Sequence, residues 1–288
     1  MAKVSVLILT LNEEINLADC LKSCAWCDDV VVFDSNSADR TAEIAKHYGA
    51  RVVQRTFDSY AGQRMAALNT VAYKYPWVLM VDADERVPAS LAQEIEQAIK
   101  RADEQTTIFR MRRKDFFFGR WLRRSSGYPT WFGRLVRIGR VRVEREVNEE
   151  YLTDGKIEHL QQHLEHFPFN KGITWWYERH NRYSSMEAVA TATERSEPVQ
   201  WQHLFQNDPI QRRRALKRLS YKLPGRPVVA FLYLYFIRLG IFDGIPGLYY
   251  CAMRASYEFM IALKVRELQR SAKLVSDLSA KEHRHIRK

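Results

Sequence analysis

The stretch Val78-Leu79-Met80-Val81-Asp82-Ala83-Asp84-Glu85 constrains the fold more than any other in the chain. Four apolar residues rich in valine read as a short buried strand. The strand ends on two carboxylates that flank a small residue. Pro88 then opens a helix over residues 88–100, with Leu91, Ile95 and Ile99 on one face. A strand that stops on acids and turns into a helix belongs at the carboxyl edge of an α/β sheet, where ligands bind. Two carboxylates at this spacing suit a hard divalent cation, Mg²⁺ or Mn²⁺. Phosphates commonly supply the remaining ligands of such an ion, so a nucleotide diphosphate is the natural substrate. A D-x-D also occurs as two solvated turn acids, and here the rest of the chain decides between the two.

The amino-terminal half repeats the same design. Val4-Ser5-Val6-Leu7-Ile8-Leu9 is a near-continuous apolar strand, the pattern of a parallel strand covered on both faces. Thr10-Leu11-Asn12-Glu13-Glu14 follows, with Asn12 as the expected N-cap of a helix that reaches Cys24 and carries Leu17, Leu21 and Cys24 inward. Asp29 to Asp34 is a second strand and also ends on an acid. Ser35 to Asp39 reads as a turn. Asp39 caps a helix over 40–48, and Gly49 ends it in a left-handed conformation. A short strand over 50–54, a helix over 61–74 and the Val78 strand complete a β-α-β-α-β-α-β-α order. That order implies right-handed crossovers and a mostly parallel sheet flanked by helices. Three strand ends then bring polar groups to one edge: Thr10, Asn12 and Glu13; Asp34; and Asp82 with Asp84. No G-x-G-x-x-G or G-x-x-x-x-G-K is present, so neither a Rossmann dinucleotide site nor a P-loop is supported.

Length and charge bound the partners. The 288 residues allow one large or two modest domains, and a hydrophobic content of 46% excludes disorder throughout. Met1-Ala2-Lys3 runs straight into a strand, so no secretory signal is expected. The net charge is +11, and the excess is concentrated in residues 101–145, 212–226 and 264–288; the middle run holds 7 basic and no acidic residues. Such surfaces call for an anionic partner: nucleic acid, anionic lipid or a phosphorylated substrate. Of the four cysteines, Cys20, Cys24 and Cys27 cluster and Cys251 stands apart. No fourth ligand is spaced for a thiolate metal site, so buried free thiols in a reducing compartment are expected.

Three blocks carry a resemblance. Ser5 to Glu14 (SVLILTLNEE), Val32 to Thr41 (VFDSNSADRT) and Asp82-Ala83-Asp84-Glu85-Arg86 resemble, in sequence and in mutual spacing, the family 2 glycosyltransferases with the GT-A fold. The subgroup it looks most like is the bacterial lipopolysaccharide-core β-1,4-glucosyltransferase type and its relatives in cell-envelope synthesis. Phe117-Phe118-Gly119-Arg120-Trp121, Tyr128-Pro129 and Arg145-Glu146-Val147-Asn148-Glu149 extend that likeness. It covers roughly residues 3–185 well and the rest loosely. It implies a GT-A catalytic domain over 1–168 and a helical carboxy-terminal region over 169–288.

The resemblance also implies roles. Thr10, Asn12, Glu13 and Asp34 would hold the nucleotide base and ribose. Asp82 would lie near the ribose and the metal, and Asp84 would ligate a divalent cation that bridges the two phosphates. Gln63 and Arg64 match a pair that faces the nucleotide, with Arg64 placed to neutralise phosphate. His166, in His-Phe-Pro-Phe, matches a position that often completes the metal site; a hydrogen-bonded core histidine is the other reading. An inverting transfer needs a carboxylate base across the sugar from the metal; Glu149 matches the recurrent acid, with Glu146 second. The sequence departs from the family at Met65, where Asn is usual, at Asn148, where His is usual, and at Thr130 and Phe132, where Asp and Gln follow Tyr-Pro. These positions lie toward sugar and acceptor, so the reaction type carries over and the identities of donor and acceptor stay open.

Thr107 to Arg113 and Arg134 to Ile138 read as strands. Between them, residues 116–128 form an aromatic and basic loop, with Gly119 and Gly127 as hinges, that suits a cover stacking on sugar rings. Val143 to Tyr151 carries the acids, and His159, His163 and His166 follow. Thr174 to Ala192 reads as an aromatic-rich helix and residues 198–208 as a loop. The apolar runs Val228 to Ile237 and Leu248 to Leu263 are separated by Gly240 to Gly247. Neither approaches the ~20 residues of a membrane span. Their basic flanks suggest an anchor lying on an anionic membrane surface; a packed helical hairpin and a homo-oligomer contact are the other readings. Residues 264–288 read as a polar basic helix or a frayed tail.

The expected function is thus a metal-dependent, inverting transfer of a hexose from a nucleotide-sugar donor, UDP-linked, to a cell-envelope glycan or lipid-linked acceptor. The expected location is cytoplasmic, peripheral on the inner face of the cytoplasmic membrane. A catalytically silent carbohydrate-binding or scaffold protein on the same fold is the alternative. A basic nucleic-acid-binding protein is disfavoured, because no helix-turn-helix, RRM or zinc-finger signature occurs and an acidic strand edge repels phosphate unless a cation intervenes.

Overall fold

Each strand end that carries a candidate acid is set by register. In chain order the elements are β1 (Ser5–Thr10), α1 (Leu17–Ser23), β2 (Val30–Asp34), α2 (Thr41–His47), β3 (Arg51–Gln54), α3 (Tyr60–Thr70), β4 (Trp77–Asp82), β5 (Glu85–Arg86) and α4 (Ala89–Arg101). There follow β6 (Thr106–Phe117), β7 (Arg120–Trp121), β8 (Trp131–Arg137), β9 (Val141–Glu144), β10 (Glu150–Thr153) and β11 (Lys156–His166). The structure is a computed structural model that describes residues 3–144, 150–196 and 225–285. It divides into two compact units, Met1–Lys171 and Gly172–Lys288.

The first unit is built on a nine-stranded sheet ordered β3-β2-β1-β4-β8-β6-β11-β5, with β7 added to β6; β9 and β10 form a separate ribbon. Strands β1 to β4 are parallel, and their register sets Thr10 opposite Asp34 and Leu9 opposite Asp82. Successive residues of β1 point to opposite faces. Val6 and Ile8 join Leu17, Leu21, Leu91 and Ile95 in one core layer. Leu7 joins Phe33, Met80, Ala67 and Leu68 in the other. A buried Leu or Ile contributes about 1.5–3 kcal/mol, so a one-residue slip that exchanged the two faces is strongly disfavoured. All four cysteines are buried and unpaired; Cys27 donates its thiol to the Val4 carbonyl at 3.1 Å.

The second half of the sheet is mixed. Strand β8 runs antiparallel to both β4 and β6, and β11 runs parallel to β6. Three elements here, β5, β7 and β11, have no counterpart in the sequence reading. Strand β5 follows directly on the D-x-D and pairs antiparallel with the end of β11, His166 opposite Glu85. Strand β11 itself was hidden because a register shift between His159 and His163 interrupts its two-residue alternation. Three expectations are corrected. Asp39 is not the N-cap of α2, a position taken by Arg40; its carboxylate accepts from the Thr41 N–H at 3.0 Å. Asn12 is not the N-cap of α1, a position taken by Asn16; it sits at φ 56°. There its backbone N–H donates to Ser37 Oγ, and its Oδ1 accepts from the Ala38 N–H, both at 2.8 Å. The third helix stops at Thr70 rather than Lys74, because the Lys74 N–H instead donates to buried Asp29 at 2.8 Å.

The second unit is helical: α5 (Gly172–Ser196), α6 (Arg226–Leu232), a π turn over Tyr233–Ile237, a 3₁₀ turn over Gly240–Asp243, and α7 (Gly244–His285). The polar segment from Lys264 continues the apolar helix without a break, since no Gly or Pro intervenes. Lys264 Nζ ties α7 to α5, donating to the Asn181 carbonyl at 2.6 Å and to Ser184 Oγ at 2.8 Å. No single described helix is long and apolar enough to cross a membrane; α6 with its π turn and α7 pass that test only together, across a 73° bend.

Candidate active site

The exit loops of β1 and β2 are knotted by one carboxylate. Asp34 is fully buried. It accepts from Thr10 Oγ1 at 2.7 Å, Ser37 Oγ at 2.5 Å and the Ser37 N–H at 2.9 Å. Those bonds fix the loop that carries Asn12 and Glu13. Glu13 in turn pairs with Lys171 Nζ at 2.6 Å and accepts from Asn16 at 2.9 Å. Burial raises the Glu13 carboxyl above its ordinary pKa against those two contacts, and the negative charge of Asp84 adds to the rise.

At the end of β4 the carboxylates separate by role. Asp82 gives both oxygens to arginines: Oδ1 to Arg64 at 3.0 Å and Oδ2 to Arg134 at 2.5 Å. Burial alone would raise its pKa, but Arg134 and Arg64 hold it well below the carboxylate range. The sequence reading counted Asp82 among the metal ligands. In the structure both of its oxygens are engaged by guanidinium groups, while its side chain stays 30% exposed.

Asp84 faces the other way. Its Oδ2 lies 3.2 Å from His166 Nε2, and His166 Nδ1 is bonded to Asp115 Oδ1 at 2.7 Å. Register produces this contact, since His166 stands opposite Asp115 on β6 and opposite Glu85 on β5. Burial and Arg113 push the imidazole pKa down, but Asp84 and Asp115 outweigh them and raise it to about 9. Asp84 is held below its usual range by the same imidazolium, against burial. Asp115 falls to about 2, with Arg113 and His166 overcoming its burial.

A chain of ion pairs joins the two arms. Arg134 Nη2 also meets Glu85 Oε1 at 2.7 Å, and Arg113 lies 3.5 Å from Glu85 and 3.0 Å from Asp115. Glu85 has no solvent exposure. Four carboxylates (Asp82, Asp84, Glu85 and Asp115) thus meet three guanidiniums (Arg64, Arg113 and Arg134) and one imidazolium. The buried cluster balances its own charge, as a low-dielectric site requires. Sequence reasoning missed Glu85, Arg113, Asp115 and Arg134. One signal was available: Arg134 interrupts an apolar strand at a position whose neighbours Leu135 and Val136 are buried.

The described residues contain no group of three or more His, Cys, Asp or Glu side chains able to hold a metal ion by themselves. Asp84 and His166 are the two donors that face each other. Glu146 and Glu149, the candidate bases, lie outside the described residues. Of the residues read as an aromatic loop, Phe116 and Phe117 instead end β6; Phe117 is buried in the core, while Phe118 is 68% exposed. Phe116 stacks on Phe167 at 5.1 Å, and Trp121 packs edge-on against Tyr128 at 5.2 Å. His163 accepts or donates at Tyr128 Oη at 2.9 Å, and His159 packs on Trp131, so neither reaches Asp84.

Comparison with known proteins adds the lineage. The chain is 26% identical over 274 residues to the lipopolysaccharide core biosynthesis glycosyltransferase LpsC of Rhizobium meliloti, covering 91% of each. It is 39% identical over 97 residues to an uncharacterized glycosyltransferase of Rickettsia typhi, covering 33% of this chain and 32% of that one. Among solved structures, glucosyl-3-phosphoglycerate synthase of Mycobacterium tuberculosis overlaps it with 22% identity and a TM-score of 0.34, over 38% of this chain and 44% of that one. The family model for glycosyl transferase family 2 matches residues 5–156, more than half of the chain, from the first residue of β1 to the first of β11. The chain therefore belongs to glycosyl transferase family 2.

Proposed function

We propose that this enzyme moves a hexose, with inversion, from a UDP-linked donor to a cell-envelope glycan or glycolipid acceptor, with a divalent cation at the strand edge. The observation that carries the reading is the 3.2 Å approach of Asp84 Oδ2 to His166 Nε2, with the far nitrogen of the ring held by Asp115. The imidazolium would have to release its Nε2 proton to become a ligand; with that proton lost, Asp84 and His166 form a donor pair whose outer support, Asp115, is in place. Mg²⁺ and Mn²⁺ need few protein ligands when substrate phosphates supply the others, so the residues fit the ion. Asp84 and His166 would hold it, and when bound it would neutralise the diphosphate as that group departs.

The chain's own residues supply the rest. Arg64 and Asp82 line the same edge, and the loop knotted by Thr10 and Asp34, with Asn12 and Glu13, frames a place for base and ribose. In the transfer, an acceptor hydroxyl attacks the anomeric carbon, the bond from that carbon to the diphosphate oxygen breaks, and the hydroxyl proton passes to a carboxylate. Glu149 is the assigned base and Glu146 the second choice. The lipopolysaccharide-core role in the name of the Rhizobium meliloti relative supports the acceptor class.

Thermal unfolding with UDP and Mn²⁺, separately and together, tests the reading. Stabilisation should require both, and Asp84→Ala should lose it while remaining folded. Equal stabilisation by UDP in chelator would remove the cation from the site. A screen of nucleotide sugars for slow hydrolysis then identifies the donor, and binding without any turnover would point to a silent carbohydrate-binding protein.

A further inference from the structure

The carboxy-terminal unit shows apolar surface that is no part of the site described above. On α6 and the π turn, Val228, Leu232 and Phe236 are exposed, and Ile237 is 73% exposed. Beyond the bend, Ile241 is also exposed and Ile245 is 65% exposed. The bend is a built corner. Leu239 and Gly244 have positive φ, 62° and 69°, with Leu239 in the left-handed helical region. Gly247 packs so closely that a Cβ there would lie 2.5 Å from the Gly240 carbonyl oxygen. The corner therefore holds its isoleucines outward on a tightly packed hinge. Along α6 and α7, an open groove of about 410 Å³ is lined by Pro227, Val228, Phe231, Ala255, Ser256 and Phe259.

Charge selects the partner. Between residues 226 and 263 the only carboxylates are Asp243 and Glu258. Asp243 is buried, and Glu258 is held by Arg226 at 2.6 Å with 14% of its side chain exposed. No acid projects from the apolar surface. The sequence just before it, over 212–226, carries seven basic residues and no acid. Arg266 and Arg270 are exposed after it, with Glu267 between them. A second copy docked on this face would set like charges together. An anionic leaflet supplies the opposite charge and an apolar interior at once.

We propose that the α6–α7 corner seats in one leaflet of an anionic phospholipid bilayer, with Ile237, Ile241 and Ile245 in the acyl layer and the exposed Arg266 and Arg270 on the headgroup side. The two arms bend by 73° and pass as a span only together, so the element dips into the leaflet and returns. This inference stands apart from the sugar-transfer reading and fails separately from it.

The test is co-sedimentation of the full chain with vesicles of phosphatidylglycerol and phosphatidylcholine, against phosphatidylcholine alone. Binding should weaken roughly tenfold or more on neutral lipid and at high salt. The Ile237→Glu/Ile245→Glu variant should lose binding by a similar factor, with its stabilisation by UDP and Mn²⁺ unchanged. Equal binding to both vesicles would overturn the proposal. So would retention of wild-type protein in membranes after an alkaline carbonate wash, which marks a crossing span. A dimer in light scattering that the double variant abolishes, with no vesicle binding, would assign the face to a second copy. Should the double variant lose its helical signal, the lipid and salt dependence of the wild type decides alone.

Discussion

His166 and His180 occupy opposite electrostatic worlds in the two units. His166 lies between Asp84 and Asp115 and is raised to about 9. His180 stacks on Trp176 at 3.5 Å and meets Tyr257 edge-on at 5.1 Å. Burial there, with Arg254 and Arg179 nearby, lowers it to about 4, against a bond from its Nδ1 to the Trp176 carbonyl. One unit gathers carboxylates, arginines and a histidine cation into a self-neutralising cluster. In the other, burial beside Arg254 and Arg179 keeps the histidine neutral. The difference teaches what each unit is equipped to meet: the first offers paired charges that a charged ligand can rearrange, and the second offers rings and aliphatic surface.

The comparison breaks most severely at Arg134. Arg134→Leu leaves Asp82 and buried Glu85 without their shared cation, and should cost about 3–5 kcal/mol of unfolding free energy in urea. A loss within about 0.5 kcal/mol would mean that the cluster does not hold the site together. A break confined to chemistry comes next. Glu149→Gln should leave UDP binding nearly intact and lower turnover by roughly 10² to 10⁴. If it transfers at the wild-type rate and Glu146→Gln does not, the base moves to Glu146; if both are active, it lies elsewhere.

A smaller effect sharpens the comparison at His166. Asp115→Asn keeps the shape but removes the charge that orients the ring. It should weaken Mn²⁺ binding, followed by titration calorimetry with UDP present, by about 10- to 100-fold. Unchanged affinity would show that Asp115 serves the ion-pair cluster alone.

The smallest expected effect is at His180. The unfolded chain protonates this residue near pH 6.5, whereas the folded unit resists until about 4. Between those values the unfolded state holds more protons. Its contribution to stability is therefore complete above pH 6.5, falls as the pH drops toward 4, and is flat below. His180→Gln should reduce that slope in unfolding curves across the window. An identical slope in the variant would place the titration in other groups.

Local pattern carried the first half of the fold. Continuous apolar runs at Val4–Leu9 and Val78–Val81 can be satisfied only by strands covered on both faces, and the helices between them impose parallel order. That was enough to place Thr10, Asp34, Asp82 and Asp84 at one sheet edge, and Glu13 just beyond. The mixed half was less legible. A bulge hid the period of β11, and the two residues of β5 are too few to show a period at all.

What the sequence by itself determined was which residues reach the edge; what each does there waited for the tertiary structure. Asp82 and Asp84 are equivalent on paper, two apart at the end of one strand. Arg134, 52 positions from Asp82 in the chain, claims the first, while His166 on β11 faces the second. Pairing across such separations depends on strand order and register rather than on local periodicity. In a buried site it is the nearest opposite charge, set by that register, that fixes the state and role of a carboxylate.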